Sequence, residues 1–365
     1  MARNYVKTVK DMEEYYYGRG LELQKADSPV LSTTTGVYNP IFGAKVWSQL
    51  NQEQNMFALL PKIVWEKSGW RVITNRAALS GGGVGENATL PDTTKPTFKE
   101  LSTKPKIVAH SFNASEMETF LGTKDDGLGD VMKVMREEMG KHHAEMINKM
   151  LLEDVDTLAG NNVESIDRMC SSASEEAGSC FTAGDADIYG IDRSDATYSW
   201  ADAYVDHNSA VDRTFTIDQL DTALTSLRTN GANPKLIVTG YDTIERIQQA
   251  LQAQQRFMGR ELVVPTYGGV KGIPGAEAGF NVATYQGIPI IPSKDVKKDT
   301  ISRIYILDTD YLAFKVALPT MYFESGMSKK DPFGINYLGD EGLFRTMGEL
   351  VCMRFNTQGK IRDLK

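Results

Sequence analysis

Apolar runs are short throughout this chain. None approaches the ~18 residues that a membrane-spanning helix needs, so no such helix is expected. Cysteine is scarce: Cys170, Cys180 and Cys352 form an odd set without metal-type spacing. That excludes a disulfide framework and points to free thiols in a reducing compartment. Only four histidines are available for a metal centre. The opening Met1-Ala2-Arg3-Asn4-Tyr5-Val6 lacks the roughly 7–15-residue apolar stretch of a secretory signal. Against these shortages stand 365 residues, 41% hydrophobic and 24% charged. Such a chain is neither disordered nor collagen-like, and it can bury the cores of two to three domains.

The net charge of −8 is unevenly spread. Between Pro61 and His110, Lys62, Lys67, Arg71, Arg76, Lys95, Lys99, Lys104 and Lys106 outnumber Glu66, Glu86, Asp92 and Glu100. Between Glu153 and Asp221, sixteen acidic residues meet only Arg168, Arg193 and Arg213. A basic arm and an acidic body could attract each other between copies, in a salt-sensitive way. Solvated surfaces would look the same in the sequence.

Residues 1–40 read as an extended arm with one short helix at most. Asn39-Pro40 opens a helix from Phe42 to Leu59, which Pro61 stops. Ile63-Val64-Trp65 and Trp70 to Thr74 then read as strand, and Ser80 to Gly85 as a tip. The return runs from Lys95 through Phe98 and Ile107 to Phe112. This long hairpin has few apolar residues of its own and needs outside support, expected from another subunit. From Leu128 to Val155, apolar residues at helical steps (Leu128, Val131, Met135, Met139, Met146, Met150) predict one strut helix about 42 Å long. The acidic stretch 160–213 reads as a large loop or inserted subdomain. Thr216-Ile217-Asp218-Gln219 is a capping box opening an amphipathic helix. An α-β-α-loop-β order follows to about residue 300. Strands then dominate: Arg303 to Asp308, Leu312 to Val316, Met321 to Glu324 and Gly348 to Phe355. The fold class is α+β.

The chemistry-bearing words fail one by one. Gly83-Val84-Gly85-Glu86-Asn87-Ala88 fits a dinucleotide pattern, but no helix follows to bind a pyrophosphate. His142-His143 and Glu145 match neither a zincin nor a di-iron bundle, and packing or surface roles explain them, with His142 on the apolar stripe and His143 beside it. Asp185-Ala186-Asp187-Ile188-Tyr189-Gly190 starts like a calcium loop, but Ala196 stands where a bidentate Glu belongs. Asp308-Thr309-Asp310 suits a strand end and turn. There is no serine–histidine elbow, cysteine–histidine pairing or P-loop. No catalytic, cofactor or metal residue is assigned, and an enzyme is not expected.

The ordered parts resemble the major capsid protein of tailed bacteriophages and related archaeal viruses, the Hong Kong 97-type fold shared with encapsulins. The resemblance runs along nearly the whole chain. Ile304-Tyr305-Ile306-Leu307-Asp308-Thr309-Asp310-Tyr311-Leu312, Gly348-Glu349-Leu350 and Gly359-Lys360-Ile361 are similar to the closing strands of such proteins. It implies an N-terminal arm and first helix (1–61), an extended loop (62–110), a peripheral domain with spine helix and acidic insertion (111–213), an axial domain (214–300) and closing peripheral strands (301–365). It also implies self-assembly through pentamers and hexamers into an icosahedral shell around double-stranded DNA. The further partners are a separate scaffolding protein, a portal and a decoration protein, with no membrane and no cofactor. Assembly is expected in the host cytoplasm and residence in the virion. Some relatives crosslink a loop lysine to a neighbour's asparagine; Lys95, Lys99 and Asn356 have the residue types, but no assisting Glu is in evident register. The alternatives are an encapsulin-type compartment and a soluble α+β enzyme or binding module. The acidic segment is expected on the outer face or between subunits, neutralised by a neighbour's hairpin, because it would repel packaged phosphates.

Overall fold

A computed structural model describes residues 55–76, 86, 93, 95–124, 130–158, 160–253, 283–329 and 338–365. The expected arm (1–40), most of the first helix (42–54), the tip (80–85) and the loop 265–279 lie outside the described residues. The elements begin with α1 (Asn55–Leu59), β1 (Lys62–Val64), β2 (Gly69–Arg76), β3 (Pro96–Ser102) and β4 (Lys106–Ser115). They continue with α2 (Glu116–Lys124), α3 (Val131–Leu151), α4 (Ile166–Met169), α5 (Ala173–Ala177) and β5 (Tyr204–Asp206). Next come α6 (Ile217–Thr229), β6 (Leu236–Thr239), α7 (Tyr241–Ala253), β7 (Ala283–Tyr285) and β8 (Ile288–Pro292). The chain closes with β9 (Ile304–Leu307), β10 (Leu312–Gly326), β11 (Gly339–Cys352) and β12 (Gly359–Ile361). No described helix is long and apolar enough to cross a membrane.

The chain divides into two compact units. Among the described residues, one comprises those of Ser111–Met139 and Phe323–Leu343; the other holds those of Asn51–His110, Gly140–Tyr322 and Phe344–Lys365. In the smaller unit, Arg136 lies 4.0 Å from Glu324, and Glu116 N–H donates to Leu338 O.

In the larger unit, α1 is capped from outside its own segment. Asn148 Oδ1 accepts the free N–H groups of Met56 and Phe57 at 2.9 and 3.2 Å. The strut helix is shorter than its apolar steps suggest: α3 has 21 residues and spans about 31 Å. It starts after Asp130, whose Oδ1 accepts the Lys133 N–H. It ends where Leu152 and Glu153 bond back three residues, to Lys149 and Met150. Its buried residues are Val131 and Met132 in the first turn, then His143, Ile147 and Leu151 at i, i+4 steps with Asn148 beside them, while Met135, Met139, Met146 and Met150 of the expected stripe are half-buried.

A six-stranded sheet runs β5-β12-β9-β6-β8-β7. The capping box predicted at Thr216 and Gln219 is formed, and α6 buries Leu220, Leu224 and Leu227 against Ile237, Ile290 and Ile306. β9 is buried at all four positions, so it needs a strand on each side and finds β12 and β6. Strands from beyond residue 300 therefore complete the sheet begun within 214–300. Gly359 allows this closeness, since a Cβ there would sit 2.9 Å from Leu227 Cδ1.

The acidic segment is not a loose loop. It carries α4, α5, a 3₁₀ turn (Ala196–Ala201) and β5, which pairs in parallel with β12. Buried Arg193 pins it by donating to the carbonyls of Ala201, Arg168, Ala186 and Met169 at 2.6–3.2 Å.

Candidate functional site

β2 and β3 pair antiparallel from Gly69↔Ser102 to Arg76↔Pro96, with an irregularity between Ile73 and Asn75. They form a ribbon of their own, while β1 and β4 leave it for a sheet ordered β1-β10-β11-β4. The expected return through Ile107–Phe112 thus belongs to that sheet, and the hairpin proper is 69–102. Alternation gives the ribbon two faces. Trp70, Val72 and Leu101 turn inward and pack on the chain's own core, with Trp70 edge-on to Tyr189 at 5.0 Å. Support for the hairpin base therefore comes from the same chain. The other face holds two cross-strand pairs: Arg71–Glu100, joined at 2.9 Å, and Ile73–Phe98, 50% and 57% exposed. An exposed isoleucine–phenylalanine pair on a ribbon that pairs with no third strand among the described residues is a ready contact surface.

The lysines are less free than their count implies. Lys99 Nζ lies over the Tyr198 ring at 5.6 Å, and Lys106 donates to Gly160 O. Both bonds reach the acidic segment of the same chain. Asn356 Oδ1 accepts from Arg354 Nε, and no contact joins it to Lys95 or Lys99 among the described residues.

The buried acids of the acidic segment are neutralised internally. Lys360 Nζ, fully buried, lies 3.1 Å from Asp167 Oδ1 and 2.8 Å from Glu175 Oε1, and donates to Ser171 Oγ. Arg303 joins Asp154, Asp167 and Asp299 at 2.9–3.2 Å, and Arg362 joins Glu175 at 3.1 Å. Tyr305 O–H and Val155 N–H complete the Asp167 shell. Burial pushes the Asp167 carboxyl up, but Lys360 and Arg303 overcome it and hold it far below the usual carboxylate range. The expectation that a neighbour's hairpin neutralises this segment is corrected for these buried acids: residues 303, 360 and 362 of the same chain do so. No spacing signalled this, because the partners lie 136 to 193 residues apart. The only hint was a lysine inside a short apolar strand.

His143, not His142, is the buried histidine. His110 Nδ1 and His143 Nδ1 lie 2.7 Å apart, and His143 Nε2 bonds Thr346 Oγ1 at 2.7 Å. Burial, then the neighbouring His110, lower the His143 pKa to about 4. His142 is exposed and pairs with Glu145. Asp187 Oδ1 accepts the Arg193 N–H, Tyr189 O–H donates to Leu350 O, and no metal grouping includes Asp185 or Asp187 among the described residues. Asp308 is a turn former, accepting the N–H groups of Asn233 and Asp310. Of the dinucleotide-like word, only Glu86 is described, in a turn. One convergence was missed: Cys180, His207 and Asp363 bring ligand atoms within 4.8 Å of one another.

Comparison with known proteins fits this architecture. The family model SU10 major capsid protein matches residues 62–332. The capsid asymmetric unit of cyanophage A-1(L) is similar with TM-score 0.62 at 15% identity, covering 94% of this chain and 99% of that one. The capsid of a native GTA particle gives 0.58 at 12%, covering 89% and 95%. Gordonia phage Cozz gives 0.55 at 16%, covering 94% and 98%. No curated protein matches the sequence. These likenesses are in fold, along nearly the whole of each chain, and with the family model over residues 62–332 they show that the chain belongs to the SU10 major capsid protein family, with a Hong Kong 97-type fold.

Proposed function

We propose that copies of this chain close into an icosahedral shell through rings of five and six, enclosing double-stranded DNA. The observation that carries it is the outer hairpin face, where Ile73 and Phe98 stay exposed on a ribbon seated on its own core. A neighbouring copy would cover that pair. The symmetry of one relative, a GTA capsid computed with C5 symmetry, supports the rings of five. In this reading the ribbon 69–102, within the expected 62–110, is the extended loop and 214–300 the axial domain, which borrows strands from 301–365. A scaffolding protein, a portal and a decoration protein are the further partners, and assembly takes place in the host cytoplasm. Negative-stain microscopy of the expressed chain, alone and with its scaffolding protein, should show rings, shells or tubes. A monodisperse monomer or dimer under every condition, including extracts of native particles, would overturn the proposal. Particles filled with protein cargo instead of DNA would favour a compartment.

A further inference from the structure

Three side chains distant in sequence meet near the end of the chain. Cys180 Sγ lies 3.7 Å from His207 Nδ1, and a carboxylate oxygen of Asp363 falls within 4.8 Å of both. Cys180 and Asp363 are buried, and His207 is half-buried, so the group meets solvent at the imidazole. No disulfide competes for the thiol, since all three cysteines are free.

One thiol, one imidazole and one carboxylate are the mixed donor set of a borderline-soft cation of the zinc class. Metal–sulfur and metal–nitrogen bonds of about 2.3 and 2.05 Å at a tetrahedral angle place the two ligand atoms about 3.6 Å apart. The observed separation is close to that. A hard cation of the calcium class needs six or more oxygens, and here one carboxylate is on offer.

The surroundings hold these donors in place. Asp363 Oδ2 accepts the N–H groups of Asn208 (2.8 Å) and Ala210 (3.0 Å), and Oδ1 accepts Arg362 Nε (3.0 Å). That leaves lone pairs on Oδ1 and a fixed carboxylate plane. Arg362 also pairs with Glu175 at 3.1 Å, which Lys360 shares, so its charge is not directed at Asp363 alone. Ser209 N–H donates to His207 Nδ1 at 3.2 Å; Ser209 is exposed, so water can take that N–H when the nitrogen binds a metal. Ser209, Ala210 and Asp363 all adopt left-handed backbone (φ 55, 60 and 59), curling the 207–210 loop around the carboxylate.

We propose that Cys180, His207 and Asp363 bind one divalent cation of the zinc class, with water as fourth ligand. The thiol releases its proton to solvent on binding, and thiolate and carboxylate balance the metal's charge. The ion ties the acidic segment to the chain's last residues.

The test uses the full-length protein, as subunits or shells. After loading with zinc and dialysis into metal-free buffer, about one zinc per chain should remain. Cobalt(II) in its place should give a thiolate-to-cobalt charge-transfer band. Cys180→Ser and His207→Ala should each abolish the band and the retained zinc. Where the serine variant does not fold, His207→Ala supplies the same readout. A wild-type chain that retains no zinc and shows no thiolate band overturns the proposal. So does a band that survives Cys180→Ser, which would place the metal on another cysteine.

Discussion

Lys360→Met removes a buried ammonium from between Asp167 (3.1 Å) and Glu175 (2.8 Å) while keeping the side chain's length. Asp167 then retains Arg303, Tyr305 and the Val155 N–H; Glu175 retains Arg362 and the Ser172 N–H. The buried cluster loses one of its three cations and is left with one negative charge more, a change that costs about 3–5 kcal/mol. At about 2 °C per kcal/mol in a large domain, the melting midpoint of unassembled subunits should fall by roughly 6–10 °C. Adding Asp167→Asn removes the charge left behind, so the double variant should lose less than the two single losses combined. Thermal unfolding of the four proteins at neutral pH, followed by near-ultraviolet circular dichroism, reads the cycle. A midpoint for Lys360→Met within about 2 °C of wild type, or strictly additive losses, would refute the reasoning.

Other predictions draw on separate features. Burial, partly offset by the Glu164 N–H, raises the Glu349 pKa to about 8. The folded protein thus keeps a proton that the unfolded chain releases above about 4.3, and stability falls as pH rises from there towards 8. Glu349→Gln should flatten that decline in melting curves from pH 5 to 9; an unchanged slope would count against it. His143 has the opposite sign: with a folded pKa of about 4 against about 6.5 unfolded, it contributes stability that is lost as pH falls between the two. His143→Gln should weaken acid destabilisation between pH 6.5 and 4, measured the same way. Ile73→Ser with Phe98→Ser should prevent shell formation in electron micrographs and leave the subunit's melting midpoint within about 2 °C, because both side chains are half-exposed. Normal shells from this double variant would show that the outer face is not a contact.

Much of this fold was legible where the signal was local. The capping box at Thr216 and the stripe Leu220, Leu224, Leu227 set α6 in place because both depend on residues within a few turns. The strut helix was legible as an element, but its ends and its buried face were not. Asp130 caps it; of the expected stripe Val131 is buried, while Met135, Met139, Met146 and Met150 stay half-buried and His143, Ile147 and Leu151 take the inner face of the later turns. A histidine counts as polar in any apolar tally, yet His110 and Thr346 give His143 the partners it needs inside. Sheet membership was the least legible. Ile304–Leu307 and Gly359–Ile361 read as a peripheral ending, and only in the structure does their pairing with Leu236–Thr239 and Tyr204–Asp206 become visible. Such pairings join residues over 50 positions apart and leave no periodic trace.

Charge misled for a physical reason that bears on assembly. A sum over Glu153 to Asp221 treats each carboxylate as a free charge facing solvent, yet Asp167 and Glu175 are fully buried and bound to residues 303, 360 and 362. Once those acids are paired inside, less negative charge is left to draw in a neighbour's hairpin. The hairpin's own outer face tells the same story: among the described residues its ion pair, Arg71–Glu100, is closed within the ribbon, and the groups beside it are Ile73 and Phe98. Exposed pairs of that kind contribute about 0–1 kcal/mol, while covering a side chain such as isoleucine or phenylalanine contributes about 1.5–3 kcal/mol. Contact through this face should therefore be driven by apolar burial, with charge setting orientation. A shell held that way keeps its hairpin contacts when salt is raised, whereas one held by opposite charges between copies would loosen as the Debye length shrinks.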